Sequence, residues 1–394
     1  MLVIFMGLSA CSNQSIKEKP QTLLVHAKHL FDGYQFHKNT SVLIRDSKIE
    51  KVAARESFPP SNATVIDLGD ATLLPGFIEL HAHINYRKVP EDLVLQHGIT
   101  TIRDLAGPVH KTYGGNGKLR VLTAGPLLTA PHGYPIPSMG RSNSVIEIQS
   151  EKHARETVQQ LAQQGAVVIK VALEPGGEIG APWAAGHHHG HGHSQHKVQK
   201  QDHAKHKTAW PLLSASIVKA IVDEAHKQEL KVTAHIGEER GAEIALTAGI
   251  DEWAHMPCSA LPNDLLTQAV KQNVTIISTL DTLSKCSGIQ HNTKTLAQLN
   301  AKLLYGAEIA HPDIPWGIDA QELIYLQQWA KLSTVEALQA TTSKSGEYLK
   351  IPLLGTLTPG APADIISIKG NLHQGFKALE YPNFVMSGGK IIKQ

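Results

Sequence analysis

Cysteine is scarce in this chain, at three in 394 residues. Cys258 and Cys286 lie deep in the sequence with no short spacing between them, which excludes a disulfide framework and a zinc knuckle. No apolar run reaches the ~20 residues that a membrane-spanning helix needs. Charge is sparse and balanced: charged residues make up 18%, the formal net charge is +2, and no long run carries one sign. Bulk electrostatics therefore gives no footing for a nucleic-acid partner. What is present is 42% hydrophobic content, enough for a folded chain with one large core or two ordinary ones. The residue in excess is histidine, at 23.

Two of these histidines open the functional question. In LLPGFIELHAHINY (73–86), His81 and His83 end an apolar run. Residues i and i+2 of a strand point to one side, so both imidazoles face one point in space, an arrangement that suits a metal. The plainer reading is a pair of half-exposed strand-end histidines. Spacing alone does not decide, because the same dipeptide spacing recurs at His187/His189 and His191/His193. Those pairs sit in a Gly/His/Lys-rich stretch that holds eight histidines between His187 and His206. That stretch (184–208) lacks apolar periodicity and reads as a mobile insertion. Its imidazoles, among them His187, His188, His189, His191, His193 and His196, serve either as a metal-capturing loop or as a solvated low-complexity segment.

Texture divides the chain. Residues 21–73 alternate as short strands, and SVLIRDSKIEKVA reads as a hairpin. From 74 to 350, eight short apolar runs alternate with amphipathic helical patterns. In SASIVKAIVDEAHKQEL, Val218, Ile221, Val222 and Ala225 share one face, and Ser333 and Glu336 stand at capping-box spacing. Eight strand–helix units predict an α/β fold, a (β/α)8 TIM barrel. The tail, 351–394, returns to strand-and-turn texture. It is expected to join 21–73 in a small composite β-sandwich domain.

A barrel gathers its strand ends over one mouth. The ends supply His81 and His83 from strand one, Lys170 from strand four, His235 from strand five, His255 from strand six and Glu308 from strand eight. Each alone has a structural explanation; together, in this order, they point to metal. Lys170 has no lone pair while protonated. An apolar site lowers its pKa, and the free amine can take up carbon dioxide to become a carbamate, an anionic oxygen ligand. The alternative is a lysine paired with a carboxylate.

These segments, with GITTIRDLAG, LSTVEALQATTSKSGEYL and GTLTPGAPADIISI, resemble the amidohydrolase superfamily from about residue 21 to the C-terminus. The strand-four lysine is similar to that of its binuclear branch of imidazolonepropionase-like and Xaa-Pro dipeptidase-like enzymes. The resemblance implies two Zn2+ ions, although other divalent metals suit the same donors. His81, His83 and Glu308 would hold one, His235 and His255 the other, and a carboxylated Lys170 would bridge them. A water activated between the ions would attack an amide carbonyl while the strand-eight carboxylate moves the proton. His132 would polarise that carbonyl or hold the substrate. Arg103 and Asp104 would support the ligands or form a structural pair. The family has Asp where Glu308 stands, so Asp313 is the competing base. The expected substrate is a small molecule with an amide bond, a dipeptide or an N-acyl amino acid. A cyclic amide, or a weakly active zinc-binding lipoprotein on the same scaffold, is the alternative.

The N-terminal MLVIFMGLSACSNQS resembles the end of a bacterial lipoprotein signal, with Leu8-Ser9-Ala10-Cys11 as lipobox but no positive n-region. Cys11 would carry the lipid anchor and residues 12–20 the tether. Ser12 suggests the outer membrane, facing the periplasm of the cell envelope. A homo-oligomer is neither required nor excluded.

Overall fold

A computed structural model describes residues 22–59, 62–183, 209–372 and 375–394. The lipobox with Cys11 and the insertion with His187, His188, His189, His191, His193 and His196 lie outside the described residues.

Both chain ends build one mixed sheet. Its strands are β1 (Thr22–Phe31), β2 (Phe36–Arg45), β3 (Lys48–Ala54), β4 (Thr64–Asp67) and β5 (Ala71–Pro75). They lie in the order β3-β2-β1-β5, with β4 paired to β1, and three C-terminal strands, described below, continue past β5. The hairpin expected between β2 and β3 forms, and Asp46 turns it with φ 55°, a left-handed conformation that Asp tolerates. Leu23, Val25, Leu30, Val42, Ile44 and Ile365 pack into a core of their own.

The barrel strands follow. They are β6 (Phe77–Ala82), β7 (Ile99–Asp104), β8 (Arg120–Thr123), β9 (Leu127–Thr129), β10 (Val145–Glu147), β11 (Val168–Leu173), β12 (Lys231–Ile236), β13 (Glu252–Trp253), β14 (Thr275–Ile277) and β15 (Lys302–Leu304). All pairings among them are parallel. One arc runs β6-β7-β8 and the other β10-β9-β11-β12-β13-β14-β15. The arcs meet where Val167 N donates to Thr123 O (2.9 Å), and again where His83 N donates to Ile309 O (2.9 Å) beside an Ala82–Ile309 bridge. This is a (β/α)8 barrel, and the eight expected strands are β6, β7, β8 and β11 to β15. Strands β9 and β10 were not anticipated. Each has three residues, too short to show a period of two. They extend the wall between the third and fourth barrel strands, where Leu128 pairs with Val171.

Helices cover the barrel as their apolar faces require. Ala215–Lys227 starts at Ser214, whose side chain accepts from Ile217 N, and buries Val218, Ile221, Val222 and Ala225. Thr334–Thr341 opens with the Ser333/Glu336 capping box. After it, β16 (Ile365–Lys369), β17 (Phe384–Ser387) and β18 (Lys390–Lys393) complete the mixed sheet, β16 pairing antiparallel with β5. Among the described residues no helix is long and apolar enough to cross a membrane.

Cys258 and Cys286, which the spacing left without partners, form a disulfide with Cα atoms 4.9 Å apart. Consecutive barrel strands explain it. Cys258 follows β13 and Cys286 follows β14, so their loops are neighbours at the mouth although 28 residues separate them. Both loops also touch the loop after β11: Cys258 Sγ lies 3.6 Å from Ile179 O, and Ser287 N donates to that oxygen at 3.3 Å.

Candidate metal centre

Strand alternation places His81 on the inner wall of β6, and the chain turns out of the strand at His83. His81 is buried and donates Nδ1–H to Ala254 O at 2.6 Å, which leaves its Nε2 as a bare lone pair. That atom is 3.1 Å from His83 Nε2, which in turn is 3.7 Å from Glu308 Oε1. The ligand atoms of His81, His83 and Glu308 all lie within 4.8 Å of one another, a spacing that suits a shared cation.

His235 ends β12, and His255 stands just beyond β13. His255 donates Nδ1–H to Met256 O at 3.1 Å and turns its Nε2 lone pair toward His235 Nδ1, 2.8 Å away. His235 Nε2 meets Glu174 Oε2 at 3.2 Å. Two basic nitrogens thus face each other in this pair as in the first. The rings of His81 and His255 stack 6.1 Å apart, which joins the two pairs. Burial, aided by the charge of Lys170, holds His83 down to about 3 and pushes His81 and His235 well below the usual imidazole range. His255 is likewise depressed by burial, then by His235 and Lys170. All four are neutral donors at physiological pH, the form that binds metal.

Lys170 projects from β11 into the same space. It is 1% exposed, and its Nζ has no hydrogen-bond partner among the described residues. Burial lowers its pKa to about 7, against the opposing pull of Glu308 and Glu252. Burial raises Glu308 to about 7, with Lys170 acting the other way. Glu308 also adopts a left-handed backbone, φ 62°, rare for a residue with a side chain. This turn brings its carboxylate to the imidazoles after β15 has ended. Asp313, the competing acid, is 75% exposed in its side chain and pairs with Lys285 at 3.8 Å, away from the centre.

The remaining expected residues have other partners. Arg103 forms a buried two-pronged bond with Glu252 (2.6 and 3.0 Å) and donates to Leu80 O. Asp104 accepts from Asn85 N, Asn85 Nδ2 and Ala106 N, so it holds the chain that leaves His83. The two do not pair with each other; Arg103 also lies over the Tyr348 ring, 6.0 Å from its centroid, and among the described residues neither hydrogen-bonds to an imidazole of the centre. His132 is exposed at φ 60° beside Glu147 and Arg141. Tyr134, two residues on, faces the centre and stacks on His235 with ring centroids 4.4 Å apart.

Several supporting groups escaped the sequence reading. Glu79 accepts from His81 N (2.7 Å) and Ala307 N (2.9 Å), tying strand one to the segment that carries Glu308. Burial pushes its carboxyl up to about 8. Glu174 lies beside His235, and Trp183 Nε1 donates to Glu178 at 3.0 Å. Glu79 shares the inward parity of His81 and His83, and Glu174 that of Lys170, so alternation alone carried a signal for both. Tyr134, Glu178 and Trp183 sit on loops, where no period operates.

Over the centre, the mouth is lined by Tyr86, Leu127, Tyr134, Met139, Val145 and Pro312, with Arg87 at the rim. A family model described as the amidohydrolase family matches residues 72–393. Ochratoxinase from Aspergillus niger is 22% identical over 426 residues, covering 90% of this chain and 83% of its own. Its crystal structure superposes with a TM-score of 0.72 at 18% identity, covering 95% and 96% of the two chains. A Xaa-Pro dipeptidase with bound methionine in the active site gives a TM-score of 0.72 at 18% identity, over 95% and 100%. Phenylurea hydrolase B gives 0.70 at 17%, over 94% and 96%. At these identities the structures speak for the fold, and the family match spans the barrel together with the C-terminal strands. The chain belongs to the amidohydrolase family.

Proposed function

We propose that this chain is a divalent-metal-dependent hydrolase of the imidazolonepropionase-like and Xaa-Pro dipeptidase-like branch, cleaving the amide C–N bond of a dipeptide or N-acyl amino acid. The observation that carries the reading is the donor set: two facing nitrogen pairs, all neutral, around a buried lysine whose Nζ is unpartnered. An uncompensated buried amine costs several kcal/mol, roughly. Addition of CO2 to the free amine, with release of one proton, would give a carbamate on Lys170 whose anionic oxygens are suited to divalent ions, and would remove that cost. In this reading His81, His83 and Glu308 hold one ion and His235 and His255 the other. Bound ions would supply Lewis acidity and lower the pKa of a coordinated water.

The protein's own groups do the rest. Glu308 would accept a proton from the attacking water at Oε1 and return it to the leaving nitrogen, as its position beside His83 allows. Tyr134, its phenol pushed well above the usual range by burial, keeps its proton and is a donor to a substrate oxygen. The apolar mouth suits an apolar acyl or side-chain group. Arg87, exposed at the rim with no ion pair among the described residues, suits a carboxylate. An envelope address with a lipid on Cys11 also belongs to this proposal. The disulfide supports it, because such bonds persist in oxidising compartments.

The test uses purified protein with and without residues 184–208. Metal content, chelator sensitivity and hydrolysis of dipeptides, N-acyl amino acids and cyclic amides are measured with added zinc and bicarbonate. The expectation is two ions retained after deletion and turnover of acyclic amides. Loss of all metal on deletion, or turnover indifferent to chelators, refutes the reading; exclusive turnover of cyclic amides moves the enzyme to the other substrate class.

A further inference from the structure

Glu174 belongs to the loop that leaves β11, four residues beyond Lys170. Its carboxylate is 1% exposed. Oε1 accepts from Gly176 N at 2.6 Å, and Oε2 faces His235 Nε2 at 3.2 Å. A Cβ at Gly237 would collide with Oε2 and approach the Glu178 carboxyl, so the glycine leaves room for the two acids. Glu178 is anchored by Trp183 Nε1 at 3.0 Å, and the Trp183 ring stands 4.5 Å from His235 and 5.5 Å from His255. Tyr134 stacks on the face of His235 at 4.4 Å, and its ring meets that of Trp183 at 6.1 Å. The imidazole is therefore clamped by two aromatic rings and one carboxylate.

Such a clamp determines more than orientation. A carboxylate at Nε2 favours the tautomer that carries hydrogen there. The Nδ1 lone pair is then free and points at the Nε2 lone pair of His255, 2.8 Å away. We infer that Glu174 is the positioning residue of the His235–His255 metal site: it selects the His235 tautomer that presents Nδ1, with Glu178 and Trp183 holding it in place. The inference rests on the two-ion reading above.

Glu174→Gln is the informative change because its volume is nearly unaltered. The short bond from Gly176 N demands an oxygen, so the glutamine amide NH2 turns toward His235 Nε2. A donor there requires a lone pair on Nε2 and moves the hydrogen to Nδ1, into the space between the two imidazoles. The isosteric variant is thus expected to weaken the His235–His255 site by about 10–100-fold, at least as much as Glu174→Ala. The His81–His83 site keeps its affinity and the melting temperature stays close to wild type. Zinc affinities come from chelator competition, and Co2+ substitution reads the ligand field of each site by its visible spectrum. In a His235→Ala background, Glu174→Gln should produce no further loss. Two ions in the wild type with an unchanged second affinity in Glu174→Gln overturn the inference and leave the two-ion reading standing. So does a loss in Glu174→Ala that glutamine rescues, since packing would then explain it. One ion or none in the wild type overturns both.

Discussion

Replacing Cys258 and Cys286 together by alanine tests whether the mouth is held by its covalent link. The disulfide closes a loop with a sequence separation of 28. By the loop-entropy relation this restricts the unfolded chain by ~3.6 kcal/mol at 25 °C. Both sulfurs are buried, so their removal adds about 1–2 kcal/mol of lost packing. A chain of 394 residues has an unfolding entropy of about 0.8 kcal/mol per degree, and the summed loss lowers the melting temperature by about 6 °C. The functional consequence is local. Cys258 follows His255 by three residues, and its loop and that of Cys286 both grip Ile179 in the loop carrying Glu174 and Glu178. Freed from each other, the loops should loosen the His235–His255 pair before the His81–His83 pair. Calorimetry at one scan rate, with and without zinc, reads the first effect; chelator competition reads the second. A shift under about 1 °C, or equal weakening of both proposed metal sites, refutes the reasoning.

Four further outcomes follow from the barrel interior. Lys170→Met keeps the barrel filled but removes the unpartnered amine, so bicarbonate dependence and retention of two ions should be lost while the metal-free protein melts no lower than wild type; unaltered bicarbonate activation would refute the carbamate. Because burial lowers the folded pKa of Lys170 to about 7, the free-amine fraction rises tenfold per pH unit below that value and levels off above it. Reconstitution of metal-free enzyme with zinc, at one fixed concentration of dissolved CO2 across the pH series, should therefore accelerate up to about pH 7 and then plateau; a rate still climbing at pH 9 would mark an ordinary lysine. Glu308→Asp withdraws the carboxylate by about 1.5 Å from a position already 3.7 Å from His83 Nε2, and kcat should fall about 100-fold; a gain in turnover would show a scaffold poised for Asp. Arg103→Leu strands Glu252 in the barrel interior and should cost about 3–5 kcal/mol, most of it recovered in Arg103→Leu/Glu252→Leu; additive losses in a denaturant melt would contradict that pairing.

What could be read from residues alone follows the geometry of the strands. Lys170 on β11 and His235 at the end of β12 were legible because a parallel barrel fixes where each strand ends and which side each residue faces. The same rule covered Glu79, on the inward parity of β6, but a carboxylate two residues before a histidine pair looks like part of the pair until its bonds to His81 N and Ala307 N are seen. Loops obey no such rule. His132 and Tyr134 share one loop, and nothing in TAPHGYP says that the tyrosine turns inward while the histidine ring faces Arg141 and its backbone N–H donates to Glu147. Cys258 and Cys286 meet only because β13 and β14 are adjacent in the cylinder, so their pairing is a property of the closed barrel. Glu308 shows the boundary between these regimes. Its position after strand eight is legible, yet its carboxylate reaches the imidazoles through a left-handed backbone that no spacing encodes. Strand parity thus places His81, Lys170, His235 and the supporting Glu79, while loop conformation places Glu308 and Tyr134.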